Sequence, residues 1–222
     1  MASSEAVPFS KSGGLADVAS SLSIALAALG NDVRLVLPAY GSSDDTGCVD
    51  LPFRTTVVMA DGEHIVRYRQ IEYHQVTVYL TDHPWFTERK GIYGNTSYTP
   101  YADNLLRFTL FSKAVLQLCD ALQWYPDILH CHDWTVGFLP ALAQQDAQRR
   151  FSGTKTVFTI HNLAYQGDFS RMDMALAGVP VDQNQFSGSG VHKRVNMLKA
   201  GLEVADILTT VSPTYAKEIQ TP

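Results

Sequence analysis

Basic charge is sparse in this chain and gathers nowhere. The 222 residues carry 17 Lys and Arg against 22 Asp and Glu, a formal net charge of -5. Scattered cations with no basic patch argue against a nucleic-acid partner. Cysteine is scarcer still. Cys48, Cys119 and Cys131 are odd in number and far apart, and no Cys-x-x-Cys pair occurs. That usage fits a reducing compartment, and the cytoplasm is expected, rather than a disulfide framework. No apolar run is long enough to span a bilayer and nothing near the start resembles a signal peptide, so no membrane partner is expected. Catalytic signatures are missing as well. There is no Gly-x-Ser-x-Gly elbow, no cysteine with an activating neighbour and no identifiable carboxylate pair, which leaves covalent acyl chemistry and glycoside hydrolysis without support.

What is present is apolar and periodic. With 45% hydrophobic residues the chain can bury a sizeable core as one large or two small domains of a soluble globular protein. Leu15, Val18, Leu22, Leu26 and Leu29 share a helical face that Gly30 ends, and residues 33–37 read as a buried strand closed by Pro38. Short alternating runs at 57–59, 65–68 and 76–80, with an Asp61-Gly62 turn, predict a hairpin-rich insertion. A polar, aromatic stretch follows over 83–103 and includes Tyr93 and Tyr98. A long helix is predicted over 104–122. Then come a strand at 126–130, a helix at 135–148, a strand at 156–160, a helix at 195–205 and a strand at 207–211. Ser212 and Pro213 cap a last helix. Alternation of strands and helices predicts an α/β fold with a Rossmann-like parallel sheet, flanking helices and a hairpin insertion. A strand belongs in front of the first helix, yet residues 1–5 do not read as a buried strand, so the first strand is expected to be largely missing.

Ligands of open parallel sheets bind where strands end. Gly13 and Gly14 run straight into a helical pattern, which leaves backbone N–H groups for an anion, and Lys11 adds a mobile positive charge. The run is neither a Walker A loop nor Gly-x-Gly-x-x-Gly, and a plain tight turn is the competing reading. Two later strands end in unusual polar residues: His130, His132, Asp133 and Trp134, then His161, Asn162, Tyr165, Gln166 and Gly167. His-x-His opens several metallohydrolase sites, but the Asp stands one position early and no second cluster occurs at ligand spacing. His130 can equally be a buried strand-end residue and Asp133 a cap for the helix from Thr135. A phosphate-binding loop facing histidine, amide, tyrosine and carboxylate groups suits a sugar with a nucleotide leaving group.

The segments KSGGLADV (11–18), YADNLLRF (101–108), HCHDW (130–134), FTIHNLAYQG (158–167), LKAGL (198–202) and TTVSPTYAKEI (209–219) resemble, in order, the signature segments of bacterial glycogen synthases and plastid starch synthases. The resemblance covers the chain nearly end to end. It implies the type-B glycosyltransferase fold, of which this chain is similar to the amino-terminal, acceptor-side half with the carboxy-terminal domain absent. It further implies retaining transfer of glucose from ADP-glucose to the non-reducing end of an α-1,4-glucan, without metal or other cofactor, in the cytoplasm or in the plastid stroma of a plant. By that resemblance Lys11, with Gly13 and Gly14, meets the donor phosphates, and Asp17 helps to bind the sugar. His161 lies beside the transferring glucose, Asp133 is a cleft carboxylate needed for activity, and Tyr93 belongs to the cleft. Asn162, Tyr165 and Gln166 shape the pocket, while Trp85 and Trp134 are expected to pack in the core rather than stack on glucan. Ser12 stands where the family usually has threonine. The carboxylate, arginine and lysine that grip the nucleotide belong to the other half, so the chain alone is expected to be inactive. A glucan-binding module without catalysis is the alternative.

Overall fold

The computed structural model describes residues 1–95, 99–179, 186–187 and 194–221; Tyr98 lies outside the described residues. Two central strands sort the interior by the two-residue period of extended chain. β1 (Arg34–Pro38) and β4 (Val76–Asp82) pair in parallel. Leu35, Leu37, Val78 and Leu80 belong to one buried cluster with Ala19 and Ala27 of α1 (Gly14–Ala28). Val36 and Tyr79, one residue out of phase, belong to another cluster with Phe108, Phe111 and Val115 of α3 (Asn104–Ala121). The sheet is therefore covered by α1 on one face and by α3 on the other, as in a doubly wound α/β fold.

The buried face of α1 differs from the leucine face expected. Leu15, Ala16, Ala19, Ser20, Ser23 and Ala27 face inward, whereas Val18 is 36% and Leu29 80% exposed. Small side chains let this helix lie close on the strands, so the larger ones are pushed to its flanks. Gly30 closes the helix as expected, with φ of 91° and its N–H on the Ala27 carbonyl.

β2 (Val49–Met59) and β3 (Gly62–Tyr73) form an antiparallel hairpin, and β3 pairs with β4. The predicted hairpin insertion is thus continuous with the main sheet, extending it in the order β1-β4-β3-β2. On the other side β5 (Ile128–His132), β6 (Lys155–Ile160) and β10 (Ile207–Thr210) run parallel in the order β10-β6-β5.

Residues 1–5 form no strand beyond isolated bridges at Ala2, yet the segment is buried. Ala2, Ser3, Ser4 and Glu5 are all buried, and Ala2 makes parallel bridges to Val36 of β1 and to Cys131 of β5. Its N–H donates to the His130 carbonyl at 2.8 Å and its own carbonyl accepts the His132 N–H at 3.1 Å. Polar composition hid a segment that earns its burial through ladder hydrogen bonds to two strands.

Further differences have local causes. The helix expected at 135–148 is a 3-10 turn, Trp134–Val136, followed by α4 (Leu139–Gln144). Gly137 separates them, pressed so close to the Met197 carbonyl that an added Cβ would lie 1.9 Å from its oxygen. The polar loop holds a short helix, α2 (Pro84–Thr87). β7 (Asp168–Ser170), β8 (Phe186–Ser187) and β9 (Arg194–Asn196) make a small antiparallel sheet, so Val195 belongs to a strand and not to the helix expected from 195. α5 (Arg171–Ala177) starts on a Ser170–Asp173 capping box. α6 (Met197–Val204) and α7 (Pro213–Glu218) complete the chain, the latter capped by Ser212 as its sequence predicts. No helix among the described residues is long and apolar enough to cross a membrane.

The Gly137 contact is with backbone, which cannot swing aside. Gly137→Ala is expected to cost about 1–3 kcal/mol in urea unfolding. Gly153→Ala, with nothing within 4 Å of an added Cβ, should change stability by less than about 0.5 kcal/mol. Equal effects would contradict the packing described.

Candidate active site

The site begins where β5 and β6 end. Asp133, directly after β5, has φ of 60° and ψ of -178°, a conformation that side-chain-bearing residues rarely adopt. Two tethers hold it there. Its N–H donates to the Thr159 carbonyl of β6 at 3.0 Å, and its carboxylate accepts the N–H of His161 at 2.8 Å, with the Asn162 N–H at 3.4 Å. Asp133 therefore does not cap a helix from Thr135; it fastens the chain leaving the next strand. Burial pushes its carboxyl up to about 6, the two amides pull it back, and the charge of Glu5 adds to the rise.

His130 and His132, alternate residues of β5, stack with ring centroids 4.2 Å apart. His130 Nε2 lies 2.6 Å from Thr159 Oγ1, which lies 2.7 Å from Thr209 Oγ1. His132 Nδ1 lies 2.9 Å from His161 Nε2. Burial depresses all three imidazoles, to about 4 for His130 and His161 and well below the usual value for His132. Near neutral pH the cluster is uncharged. Among the described residues no group of three or more His, Cys, Asp or Glu is arranged to hold a metal ion, and Asp133 turns its carboxylate to backbone amides.

The glycine loop holds an anion of the protein's own. α1 starts at Gly14, and its N-cap Gly13 has no side-chain cap. The carboxylate of buried Glu5 accepts the Ser12 N–H, the Gly13 N–H at 3.1 Å and the Ser12 hydroxyl at 2.9 Å. Tyr93 donates to the same carboxylate at 2.7 Å, and its oxygen lies 2.8 Å from Ser4 Oγ. Burial, then the Glu5 charge, holds the Tyr93 hydroxyl well above its usual pKa, hence protonated. Lys11 lies 2.7 and 2.8 Å from the two carboxylate oxygens of Asp17, both side chains being half exposed. An exposed pair of this kind contributes little to stability.

The remaining predicted residues divide. Asn162 accepts the Ala164 N–H at 3.0 Å and so shapes its own loop. Gln166 donates to the Leu163 carbonyl and accepts from Asn196 at 2.6 Å, tying that loop to the start of α6. Tyr215 of α7 accepts the Leu163 N–H at 2.8 Å. Tyr165 is 66% exposed. Trp134 packs edge-on against Phe108 at 5.2 Å, and Trp85 lies against His64 at 4.6 Å.

Sequence reasoning missed Glu5, Asn104 and Arg107 as parts of this assembly. Arg107 is wholly buried and donates to the carbonyls of Trp85 and Ile92 and to Asn104 Oδ1, while Asn104 donates to the Tyr93 carbonyl at 2.8 Å. Two polar residues three apart on an apolar helix were the available signal. Glu5 gave none beyond being acidic.

The buried Asp133 carboxyl couples stability to pH. The folded protein holds its proton more tightly than the unfolded chain, so this group's contribution is full below the ordinary value of 3.8 and is lost as pH rises through about 6. Asp133→Asn keeps an acceptor oxygen for the His161 amide and removes the titration. Urea unfolding at pH 4 and pH 7 should show the variant gaining about 2–3 kcal/mol on the wild type over that interval. Parallel profiles would contradict the burial assigned to Asp133.

Comparison with known proteins places this geometry. The family model described as the starch synthase catalytic domain matches residues 1–222. A glycogen synthase of Treponema denticola is 40% identical over 227 residues, covering 100% of this chain and 46% of its own length. One from Anaeromyxobacter sp. strain Fw109-5 is 42% identical over 222 residues, with 99% and 46% covered. The solved catalytic domain of Starch Synthase IV from Arabidopsis thaliana, bound to ADP and acarbose, superimposes with a TM-score of 0.87 at 30% identity, covering 99% of this chain and 46% of that one. The chain thus spans slightly under half the length of the curated relatives it matches. It shares the α/β architecture of a type-B glycosyltransferase, and it belongs to the starch synthase catalytic domain family.

Proposed function

We propose that the protein transfers glucose from ADP-glucose to the non-reducing end of an α-1,4-glucan with retention, acting in the cytoplasm. This chain then supplies the amino-terminal, acceptor-side domain of the enzyme. The observation that carries the reading is the junction of Asp133 with His161 at two adjacent strand ends, within a chain that matches the family over its whole length. A family member solved with ADP and acarbose supports a nucleotide and a saccharide as ligands.

In this reading each group acts through its own chemistry. Lys11 leaves Asp17 to meet the donor phosphates, and Asp17 becomes free to accept from the sugar. The first-turn amides of α1 have no side-chain cap, so the helix start at Gly14 favours the negative diphosphate. Glu5 keeps Ser12 and Gly13 in register beneath it. His161, half-buried and neutral, offers a hydrogen bond to the glucosyl unit whose strength grows as charge develops in the oxocarbenium-like transition state. Asp133 fixes the backbone of His161 and Asn162. Tyr93, held by Glu5, forms part of the cleft wall, with Asn162, Gln166 and exposed Tyr165 bordering the opening.

Incorporation of radiolabelled glucose from ADP-glucose into glycogen tests the proposal. The 222-residue chain alone is expected to give none, because groups that grip the nucleotide in the family lie in the other half of its members. The protein carrying a second domain should be active, and His161→Ala should lower kcat by about 10²–10³-fold. Activity unchanged in that variant would overturn the role of His161. Binding of maltooligosaccharide without any binding of ADP-glucose by the two-domain protein would replace the transferase by a glucan-binding module.

A further inference from the structure

We propose that His132 is a positioning residue that fixes the tautomer of His161, making His161 a hydrogen-bond donor at Nδ1. The consequence for catalysis rests on the glucosyl-transfer reading; the tautomer itself is a property of the unliganded protein.

The argument is one of proton counting. His132 is completely buried, its Nδ1 lies 2.9 Å from His161 Nε2, and its Nε2 has no hydrogen-bond partner. A neutral imidazole carries one proton, on one nitrogen or the other. Placing it on Nε2 of His132 would bury an N–H with nothing to receive it. Placing it on Nδ1 leaves only an unpaired lone pair, the smaller penalty, and supplies the donor for the contact with His161. His161 Nε2 must then accept, so the single proton of His161 resides on Nδ1. That N–H has no partner among the described residues and remains for an oxygen of a bound sugar.

The surroundings hold the pair in this state. His130 stacks on His132 at 4.2 Å and is itself held by Thr159, which fixes the plane of the His132 ring. The other ionisable groups acting on the pair are the Met1 amine and Glu5. A second proton on His161 would set N–H against N–H across the 2.9 Å contact, so the arrangement also opposes protonation of His161. The role resembles that of the outer partners that fix ring tautomers of metal-bound and catalytic histidines, here supplied by another histidine.

Histidine ring nitrogens can be read directly by two-bond proton–nitrogen correlation spectra of the 15N-histidine-labelled protein without ligand. His161 is expected as the Nδ1–H tautomer in the wild type. His132→Asn, whose amide nitrogen replaces Nδ1, should preserve it. His132→Leu should shift His161 toward the Nε2–H form that free imidazole side chains prefer, with the His64 and His83 signals unmoved as the check on folding. An Nε2–H His161 in the wild type, or an unchanged Nδ1–H form in a folded His132→Leu protein, would overturn the proposal. Should the leucine variant not fold, the wild-type and His132→Asn spectra decide. In transfer assays of the two-domain protein His132→Leu should lower kcat about tenfold or more with little change in KM, and His132→Asn should restore most of it. Absence of any transfer activity alongside the expected wild-type spectrum would count against the proposed function and leave the tautomer assignment standing.

Discussion

The hydrogen bond from the His161 amide to the Asp133 carboxylate joins two strand ends, and the rest of the site depends on it. It puts a carboxylate under the first residue after β6, and it holds Asp133 at a φ of 60° that a residue with a side chain would otherwise avoid. Backbone strain on one strand end is thereby balanced by capping of the next. The loop carrying Asn162 and Gln166 then leaves β6 in one direction only, and Tyr215 and Asn196 secure its far side. In the proposed reaction a carboxylate employed this way acts through the backbone it holds.

The front of the chain follows the same logic, with a second carboxylate, that of Glu5, accepting backbone amides. Residues 1–3 bridge β1 and β5, which brings Glu5 under the glycine loop. Its carboxylate satisfies the amides of Ser12 and Gly13. The amides of this end are therefore divided between those held by a fixed internal carboxylate and the uncapped first turn of α1, while Lys11 pairs with Asp17. Arg107 and Asn104 hold Tyr93 against Glu5 from the opposite side. Electrostatic coupling of Glu5 to both Asp133 and His161 links the two halves of the site.

Much of this was legible in residue order. Apolar runs ending in Gly, Pro or polar clusters located β1 to β6, β10 and α3, and Ser212-Pro213 located α7. The strand ends at 130–134 and 161–167 identified Asp133, His161 and Asn162 as neighbours because open parallel sheets gather such ends. The failures share a cause, which is that burial does not always require large apolar side chains. α1 packs through alanine and serine, and Ala2 and Ser3 are buried with hydrogen bonds to flanking strands. Gly137 breaks a helix because of one carbonyl sixty residues away in sequence. The partners of Glu5 and the pairing of His132 with His161 join residues whose separation carries no period. The two residues of the His-x-His spacing stack on each other, and His132 hydrogen-bonds His161.

Amide hydrogen exchange at His161 addresses the central tether most directly. In the wild type the His161 N–H should exchange slowly, as slowly as a bonded strand amide. In Asp133→Ala it should exchange much faster while the Phe158 amide, inside β6, keeps its protection. Equal protection of His161 in the two proteins would contradict the account, because the Asp133 carboxylate would then not be what holds that backbone in place.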